Sequence, residues 1–200
     1  MVLLQDWLTR LQADDPEERQ IISGVSWKQY EELLLEHSDT SRYRITYLDG
    51  ILELMSPSRR HEDRKTNIGS LLEDYFKEKR IRYFPMGSTT LRNQANRGGA
   101  EPDESYCIGT NKAFPDLVIE VVVTSGSVDK LDVYRRLQVQ EVWFFKTDHF
   151  EVHHLRETGY EQIESSEILP DLDLELLAEC AIADDPLDAA LEFRQKIQSV

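Results

Sequence analysis

Apolar residues recur along this chain at two spacings, one typical of helices and the other typical of strands. Spacings of three and four residues, which place side chains on one face of a helix, occur in four segments. These segments are 26–34, 61–80, 129–137 and 186–197. Short apolar or alternating runs that predict strands occupy 42–47, 51–55, 81–84, 88–92, 106–108, 114–124, 141–145, 150–155 and 160–163. The pattern predicts an α/β (α+β) fold in which a mixed sheet is flanked by helices, with a helix and a hairpin near the N-terminus.

Polar motifs mark where some of these elements begin and turn. Ser26 and Gln29 have the spacing of a capping box at a helix start. Asp49-Gly50 lies between two strand-like segments, and this dipeptide is typical of a tight hairpin turn. The order strand, helix, strand over 114–145 predicts a pair of parallel strands, because a crossover helix returns the chain in the same direction.

Length and composition favour one domain. A chain of 200 residues with 40% hydrophobic residues can bury one core of ordinary size. We divide it into an N-terminal arm (1–25), whose first 20 residues predict a helical or loose segment, a core (26–150), and an acidic C-terminal hairpin and helix (151–200) that pack on the same domain. No apolar run approaches the roughly 20 residues needed to span a bilayer, so we expect a soluble, cytoplasmic protein with no membrane partner.

Acidic and basic residues are unevenly distributed along the chain. The net charge is -15, which argues against a nucleic-acid partner because phosphate contacts need lysine and arginine. Residues 151–200, however, hold 13 acidic and 3 basic residues, whereas residues 59–97 hold 10 basic and 5 acidic ones. The second segment contains a basic group made of Arg59, Arg60, Arg64 and Lys65. Either this group faces phosphates, or it forms a solvated helix face of mixed charge.

Two carboxylates are the strongest candidates for chemistry. Glu120 lies within the run Leu-Val-Ile-Glu-Val-Val-Val, where burying an unpaired charge would cost several kcal/mol. Asp103 lies near the start of a neighbouring strand, so both carboxylates can meet at one end of a sheet. Converging carboxylate oxygens with open water positions suit Mg²⁺ or Mn²⁺, which is the partner that we predict. Lys130, at the start of the next helix, would bring its ammonium to the same site and stabilise charge on a phosphate.

Two further residues are close in sequence to the basic group. Glu53 lies in the predicted hairpin and His61 begins the long helix. Each could add a metal ligand, hold a metal-bound water or approach the scissile phosphate. A histidine at a helix start is more often a surface or capping residue, and Glu53, at an alternating strand position, could point to solvent. We therefore rank both below Asp103 and Glu120.

Several short motifs together resemble a known family. In chain order they are Asp49-Gly50, Met55-Ser56-Pro57-Ser58, His61-Glu62, Glu101-Pro102-Asp103, Pro115-Asp116-Leu117-Val118-Ile119-Glu120-Val121, Lys130-Leu131-Asp132-Val133-Tyr134 and Val139-Gln140-Glu141-Val142-Trp143. Their order and spacing over residues 27–150 resemble the Uma2 family of endonucleases, which is common in cyanobacteria and belongs to the PD-(D/E)XK nuclease superfamily. No single motif is specific, so the resemblance rests on the whole set.

The resemblance implies a restriction-endonuclease-like core in which Asp103 and Glu120 bind the metal and Lys130 is the catalytic lysine. His61 and Glu53 would complete the site. The implied reaction is hydrolysis of a DNA phosphodiester bond with the help of the metal ion.

This chain departs from the family pattern at three places. Val122 occupies the lysine position of the Glu-X-Lys motif, so the lysine comes from the helix at Lys130, as a migrated lysine does in this family. Ile51 stands where an acidic residue often follows Asp-Gly, which leaves Glu53, two residues on and on the same strand face, as its substitute. The segment between Glu120 and Lys130 is also shorter than is common in the family.

We therefore predict a Mg²⁺-dependent endodeoxyribonuclease, with Mn²⁺ as the alternative ion. A homodimer is compatible with this activity, because cleavage of both DNA strands benefits from two sites. The alternative function is a non-catalytic binding or regulatory module that keeps the same fold. The acidic surface and the lack of a recognisable DNA-reading motif favour that alternative. Metal binding that depends on the carboxylates would discriminate between the two.

Overall fold

This computed structural model describes residues 17–36, 43–124 and 128–198 of the chain. These ranges contain eleven strands and five helices. The strands are β1 (Glu18–Ser23), β2 (Arg44–Leu48), β3 (Ile51–Ser56), β4 (Tyr83–Pro85), β5 (Leu91–Asn93), β6 (Gly98–Ala100), β7 (Glu104–Ile108), β8 (Leu117–Val122), β9 (Glu141–Lys146), β10 (His149–Arg156) and β11 (Gly159–Ile163). The helices are α1 (Trp27–Glu36), α2 (Arg59–Glu78), α3 (Lys130–Arg136), α4 (Leu174–Ala181) and α5 (Pro186–Gln198). Within these ranges no helix is long and apolar enough to cross a membrane. The elements confirm the predicted α+β fold.

The smaller sheet has the strand order β1-β3-β2-β6-β5, and its neighbouring strands are all antiparallel. The predicted hairpin is confirmed as β2 and β3. Its turn residues Asp49 and Gly50 have φ angles of 46° and 91°, the left-handed values that a two-residue turn of this type requires. The prediction of a helical or loose segment over the first 20 residues is wrong for residues 18–20, because they belong to β1, which pairs with β3 as an edge strand. The rest of that predicted segment, residues 1–16, lies outside the described residues.

The larger sheet has the strand order β11-β10-β9-β8-β7-β4. Strands β8 and β9 run parallel, while the other neighbours are antiparallel, so the sheet is mixed. Helix α3 makes the crossover between β8 and β9. The parallel pair that the sequence predicts from its strand, helix, strand order is therefore confirmed.

The two faces of the larger sheet pack against different helices. Ile119, Val121, Trp143 and Phe145 share a core with α2, α4 and α5, whereas Val118 and its neighbours on the other face share a core with α3. The apolar stripe of α2 that the sequence predicts is buried in the first of these cores. Full burial of a large apolar side chain stabilises a fold by about 1.5–3 kcal/mol, so this stripe fixes α2 against the sheet.

Helix α1 covers one face of the smaller sheet. Its predicted capping box is present, because the backbone N–H of Gln29 donates to Ser26 Oγ at 3.3 Å and that of Ser26 donates to Gln29 Oε1 at 2.8 Å. Tyr30 of the helix stacks on Tyr47 of β2 with ring centroids 4.8 Å apart. Gly99 lies opposite Tyr47 in the sheet, and a Cβ there would overlap the Tyr30 hydroxyl. The helix can therefore approach the sheet only because this position is glycine.

Candidate active site

Buried carboxylates meet at one end of the strands of the larger sheet, where β7 begins and β8 approaches its last residue. Glu104 pairs with Ile119 in the antiparallel ladder, and the same register carries Asp103 towards Glu120. The two carboxylates are only 1% and 2% exposed. The structure thus brings together the two residues that the sequence ranks highest, and their role as metal ligands stays a prediction.

Glu120 is held by two side chains from α3. Lys130 Nζ lies 2.6 Å from Glu120 Oε2, and the Tyr134 hydroxyl donates to Glu120 Oε1. Asp129 caps the helix by accepting from the backbone N–H of Asp132 at 3.1 Å, which makes Lys130 its first residue. Burial raises the pKa of Glu120, and the nearby charge of Asp103 adds to this rise while Lys130 opposes it. The lysine thus reaches the site from the helix, although the strand position two residues after Glu120 lacks one.

Asp103 is held by α2 and by the backbone of β8. His61 Nε2 lies 2.8 Å from Asp103 Oδ1, and the N–H of Val121 donates to Oδ2 at 2.8 Å. Arg44 adds positive charge, with its Nε 3.6 Å from Oδ1. Burial disfavours the charged form of Asp103, but the hydrogen bond and charge of His61 and the charge of Lys130 outweigh it and lower the pKa. Asp103 is therefore a carboxylate anion at neutral pH.

His61 lies between two carboxylates. While Nε2 faces Asp103, Nδ1 faces Glu17 Oε2 at 3.3 Å. Burial lowers the pKa of His61, but the hydrogen bonds to Asp103 and Glu17 outweigh this and raise it to about 9. An imidazolium donates from both nitrogens and has no free lone pair. The geometry therefore favours orienting Asp103, a role that was not predicted from the sequence, over binding the metal.

Glu53 faces the interior of the site. It is 1% exposed, and Arg19 Nη1 lies 2.8 Å from its Oε1. The backbone N–H of Val128, just before α3, donates to its Oε2 at 3.4 Å. The alternative that Glu53 points to solvent is therefore wrong.

Sequence reasoning missed the contribution of β1 and the residue before it. Arg19 contacts Glu17 as well as Glu53, and its Nε donates to Thr124 Oγ1 at 3.1 Å. Thr124 in turn donates to Glu17 Oε1 at 2.8 Å. The only strand signal here is the pair Ile21-Ile22, which is too short a run to predict a strand.

Tyr134 was also missed as a site residue, because the sequence presents it as a core residue. It is fully buried and shares the core beneath α3. A buried tyrosine hydroxyl usually finds a hydrogen-bond partner, and that general rule is the signal that could have linked Tyr134 to Glu120.

An open cavity of about 350 Å³ gives access to this cluster. It lies on the α3 face of the larger sheet. Its charged and polar lining residues are Arg19, Glu53, Glu120, Thr124, Asp129, Lys130, Lys146, Glu151 and His153. Glu120 and Lys130 therefore face the cavity directly, while Asp103 and His61 are buried beside it.

The carboxylates suit one kind of metal ion. Mg²⁺ takes oxygen ligands, keeps several waters and is usually bound by one or two carboxylates together with substrate phosphates. Asp103 and Glu120 match that donor set. In the described ranges, no group of three or more His, Cys, Asp and Glu side chains converges as a ready-made metal site. The residues therefore fit a Mg²⁺ ion that depends partly on water and substrate for its ligands.

Comparison with protein families gives a match over most of the chain. The model of the Uma2 family, described as "Putative restriction endonuclease", matches residues 27–185. This range contains the four residues Asp103, Glu120, Lys130 and Tyr134, but it begins after Glu17 and Arg19. No curated protein matches the chain.

Proposed function

Because this chain belongs to the Uma2 family, we propose that it is a metal-dependent endonuclease that hydrolyses phosphodiester bonds in DNA. The observation that carries the proposal is the pair of buried Glu120 and partly exposed Lys130 beside Asp103, at the wall of an open cavity. Two carboxylates and a lysine at one sheet edge provide the charges that phosphodiester hydrolysis needs.

The protein holds each carboxylate in a fixed orientation. His61 and the N–H of Val121 bond the two oxygens of Asp103, and Tyr134 and Lys130 bond those of Glu120. Such supporting contacts reduce the reorganisation that is needed when a substrate binds. The side chains of the site are therefore oriented before DNA arrives.

Lys130 is the residue that we assign to the phosphate. Its side chain is 14% exposed and lines the cavity, so its ammonium can donate to the phosphate oxygens on which charge grows in the transition state. The chemistry expected of Mg²⁺ at Asp103 and Glu120 is polarisation of the phosphate and activation of water. Glu53, held by Arg19, lines the same cavity. We assign it one of two roles: it holds a water molecule, or it forms part of the cavity wall near the phosphate.

Cleavage assays with purified protein test this proposal. Plasmid and single-stranded DNA are incubated with Mg²⁺ or Mn²⁺ and with wild type, Asp103→Ala or Glu120→Ala. We expect wild type to cut and both variants to lose at least about 100-fold in rate. Asp116→Ala is the matched control, because Asp116 is a carboxylate at the entrance of β8 that bonds Lys112 outside the cavity. Equal rates in all four proteins, or no cleavage by wild type with either ion, would reject the nuclease.

A non-catalytic binding module is the second candidate. One observation favours it: each oxygen of Asp103 and Glu120 already has a donor from the protein. Calorimetric titration with Mg²⁺ separates the two functions. Heat of binding that disappears in Glu120→Ala supports the nuclease, whereas a wild type that binds DNA but no Mg²⁺ supports the module.

A further inference from the structure

A second, polar groove of about 530 Å³ lies between the N-terminal end of α2 and the segment that joins α4 to α5. Asn67 of α2 lines the groove and donates to the carbonyl oxygen of Ala181, at the end of α4, at 3.2 Å. The remaining lining residues are Arg59, Arg60, Asp63, Arg64, Ile182, Ala183 and Asp184. Three arginines thus share the groove with two aspartates, which leaves it positively charged.

The three arginines of this groove have different surroundings. Arg59 forms an exposed ion pair with Asp63, the residue four positions on in the same helix, at 3.7 Å. Arg59 and Arg60 are exposed, and Arg64 is anchored because its Nη1 donates to the carbonyl oxygen of Thr147 at 2.7 Å. The Arg64 guanidinium carbon lies 5.7 Å from the centre of the Phe145 ring. Burial, and next the charge of Arg60, lower the pKa of Arg64, so the two guanidinium groups are close enough to repel each other. The proximity of Arg60 to the anchored guanidinium of Arg64 favours an anion at this place.

The groove and the active-site cavity lie on opposite faces of one sheet edge. Successive residues of a strand point to opposite faces, so Phe144 and Lys146 line the cavity on the α3 face while Phe145 meets Arg64 on the α2 face. Thr147, which bonds Arg64, directly follows Lys146 in the chain. A polymer that crosses this edge can therefore contact both sites. DNA carries a phosphate about every 3.4 Å along each strand, so such a path presents many phosphates.

We infer that this groove is a subsite for the DNA backbone and holds phosphates that flank the one being cut. The inference rests on the proposed function, because it states where that substrate extends beyond the cavity. Planar guanidinium groups match phosphate oxygens in two-point contacts, which suits the arginine content of the groove. For Arg59, Arg60 and Arg64 of the basic group, the proposal favours the interpretation that they face phosphates. Lys65 lies outside the groove and pairs with Glu62 at 3.4 Å.

The test measures DNA binding separately from cleavage. A fluorescein-labelled duplex is titrated with protein in EDTA, and anisotropy is followed at salt concentrations between about 50 and 200 mM. The double variant R59A/R60A changes two exposed side chains, so its fold is expected to be unaffected. We expect roughly tenfold weaker binding and a salt slope that is smaller by about 2. The control K77A/K79A removes two lysines at the C-terminal end of α2, far from the groove along the helix. We expect this variant to bind DNA like wild type.

A change of opposite sign makes the test sharper. Asp184→Asn removes a carboxylate from the groove, and we expect it to bind DNA more tightly than wild type, because repulsion of phosphate is lost. Glu179→Gln, which removes an exposed carboxylate from α4, serves as its control and is expected to change nothing. Thermal melting of each variant verifies the fold.

The outcomes separate this inference from the proposed nuclease. If R59A/R60A binds DNA with the affinity and the salt dependence of wild type, the groove is not a DNA subsite. This conclusion holds even if wild type cleaves DNA. If wild type binds DNA through the groove but never cuts with Mg²⁺ or Mn²⁺, the groove stands as a binding site for the DNA backbone and the nuclease proposal fails. A wild type that binds no duplex at all overturns the subsite.

Discussion

Lys130 brings a charge into the site from the first position of α3, where it is paired at 2.6 Å with a buried carboxylate. At the scale of single residues, this pair is the centre of the proposed chemistry. The lysine has a tether of four methylene groups, so it can shift from Glu120 to a phosphate without movement of the helix.

We expect Lys130→Met to lower the rate of DNA cleavage by about 100-fold or more, because the variant keeps the length of the side chain but loses the charge. Lys130→Arg keeps the charge and is expected to retain more activity. Initial rates and thermal melting are measured together. The control is Lys112→Met, which breaks an ion pair of the same 2.6 Å length with Asp116 outside the site. Equal losses in Lys130→Met and Lys112→Met would refute the assignment.

A second residue-scale prediction concerns Glu17. Burial opposes its charge, but the hydrogen bond from His61, the charge of Arg19 and the hydroxyl of Thr124 outweigh burial and lower its pKa below the usual 4.5. A carboxylate whose pKa is lower in the folded than in the unfolded chain stabilises the fold when the pH is above its unfolded-state pKa. This stabilisation is lost as the pH falls through its folded-state pKa.

We expect Glu17→Gln to lower the free energy of unfolding by about 2 kcal/mol at pH 7, since charged hydrogen bonds are lost. The difference from wild type should begin to shrink as the pH falls below 4.5, where Glu17 of the unfolded chain takes up a proton. It should be smallest below the lowered pKa of folded Glu17. Urea unfolding at several pH values measures this. Thr124→Val removes a bond to the same carboxylate without removing the charge, so its effect should depend less on pH. A pH-independent difference for Glu17→Gln would contradict the prediction.

At the scale of elements, the contact between α1 and the smaller sheet depends on Gly99. A Cβ at this position would overlap the hydroxyl of Tyr30, which is fully buried. We expect Gly99→Ala to destabilise the protein by about 1–3 kcal/mol through overpacking.

The double variant with Tyr30→Phe tests this cause. Phenylalanine removes the atom that the new methyl group would meet first, so Gly99→Ala should cost less in the Tyr30→Phe background. Free energies of unfolding for the four proteins give the coupling directly. Additive effects would show that the strain lies elsewhere in the sheet.

At the scale of the whole molecule, local signals in the sequence predict much of the fold. The Asp49-Gly50 turn, the capping box and the stripe of α2 each depend on residues close together in the chain, and each is confirmed. The division into two sheets was not predicted, because strand pairing is decided by contacts between distant segments. Helix α4 was also missed, since its eight residues are too few to establish a helical periodicity, although Glu175 and Glu179 form one exposed face opposite five buried residues.

The site was predictable only in part, for the same physical reason. Asp103, Glu120 and Lys130 stand out because a charge in or near an apolar strand needs a partner. Glu17 and Arg19 carry no such signal, since a polar strand at a sheet edge resembles a loop in sequence. The predicted homodimer and the metal ion stay predictions, and size measurements would address the first and calorimetric titration with Mg²⁺ the second.

The bonds made by β1 and the residue before it have a consequence for the order in which the candidate site is assembled. Thr124 bonds Glu17 across 107 positions and Arg19 across 105, so these contacts close a loop that contains most of the family match. Contacts between such distant segments form late, since a large loss of chain entropy precedes them. During synthesis, His61 and Glu53 emerge well before the residue that locks Glu17 in place. The wall of the candidate site that Glu17 and Arg19 form is therefore completed only after β8 and Thr124 have been made and folded.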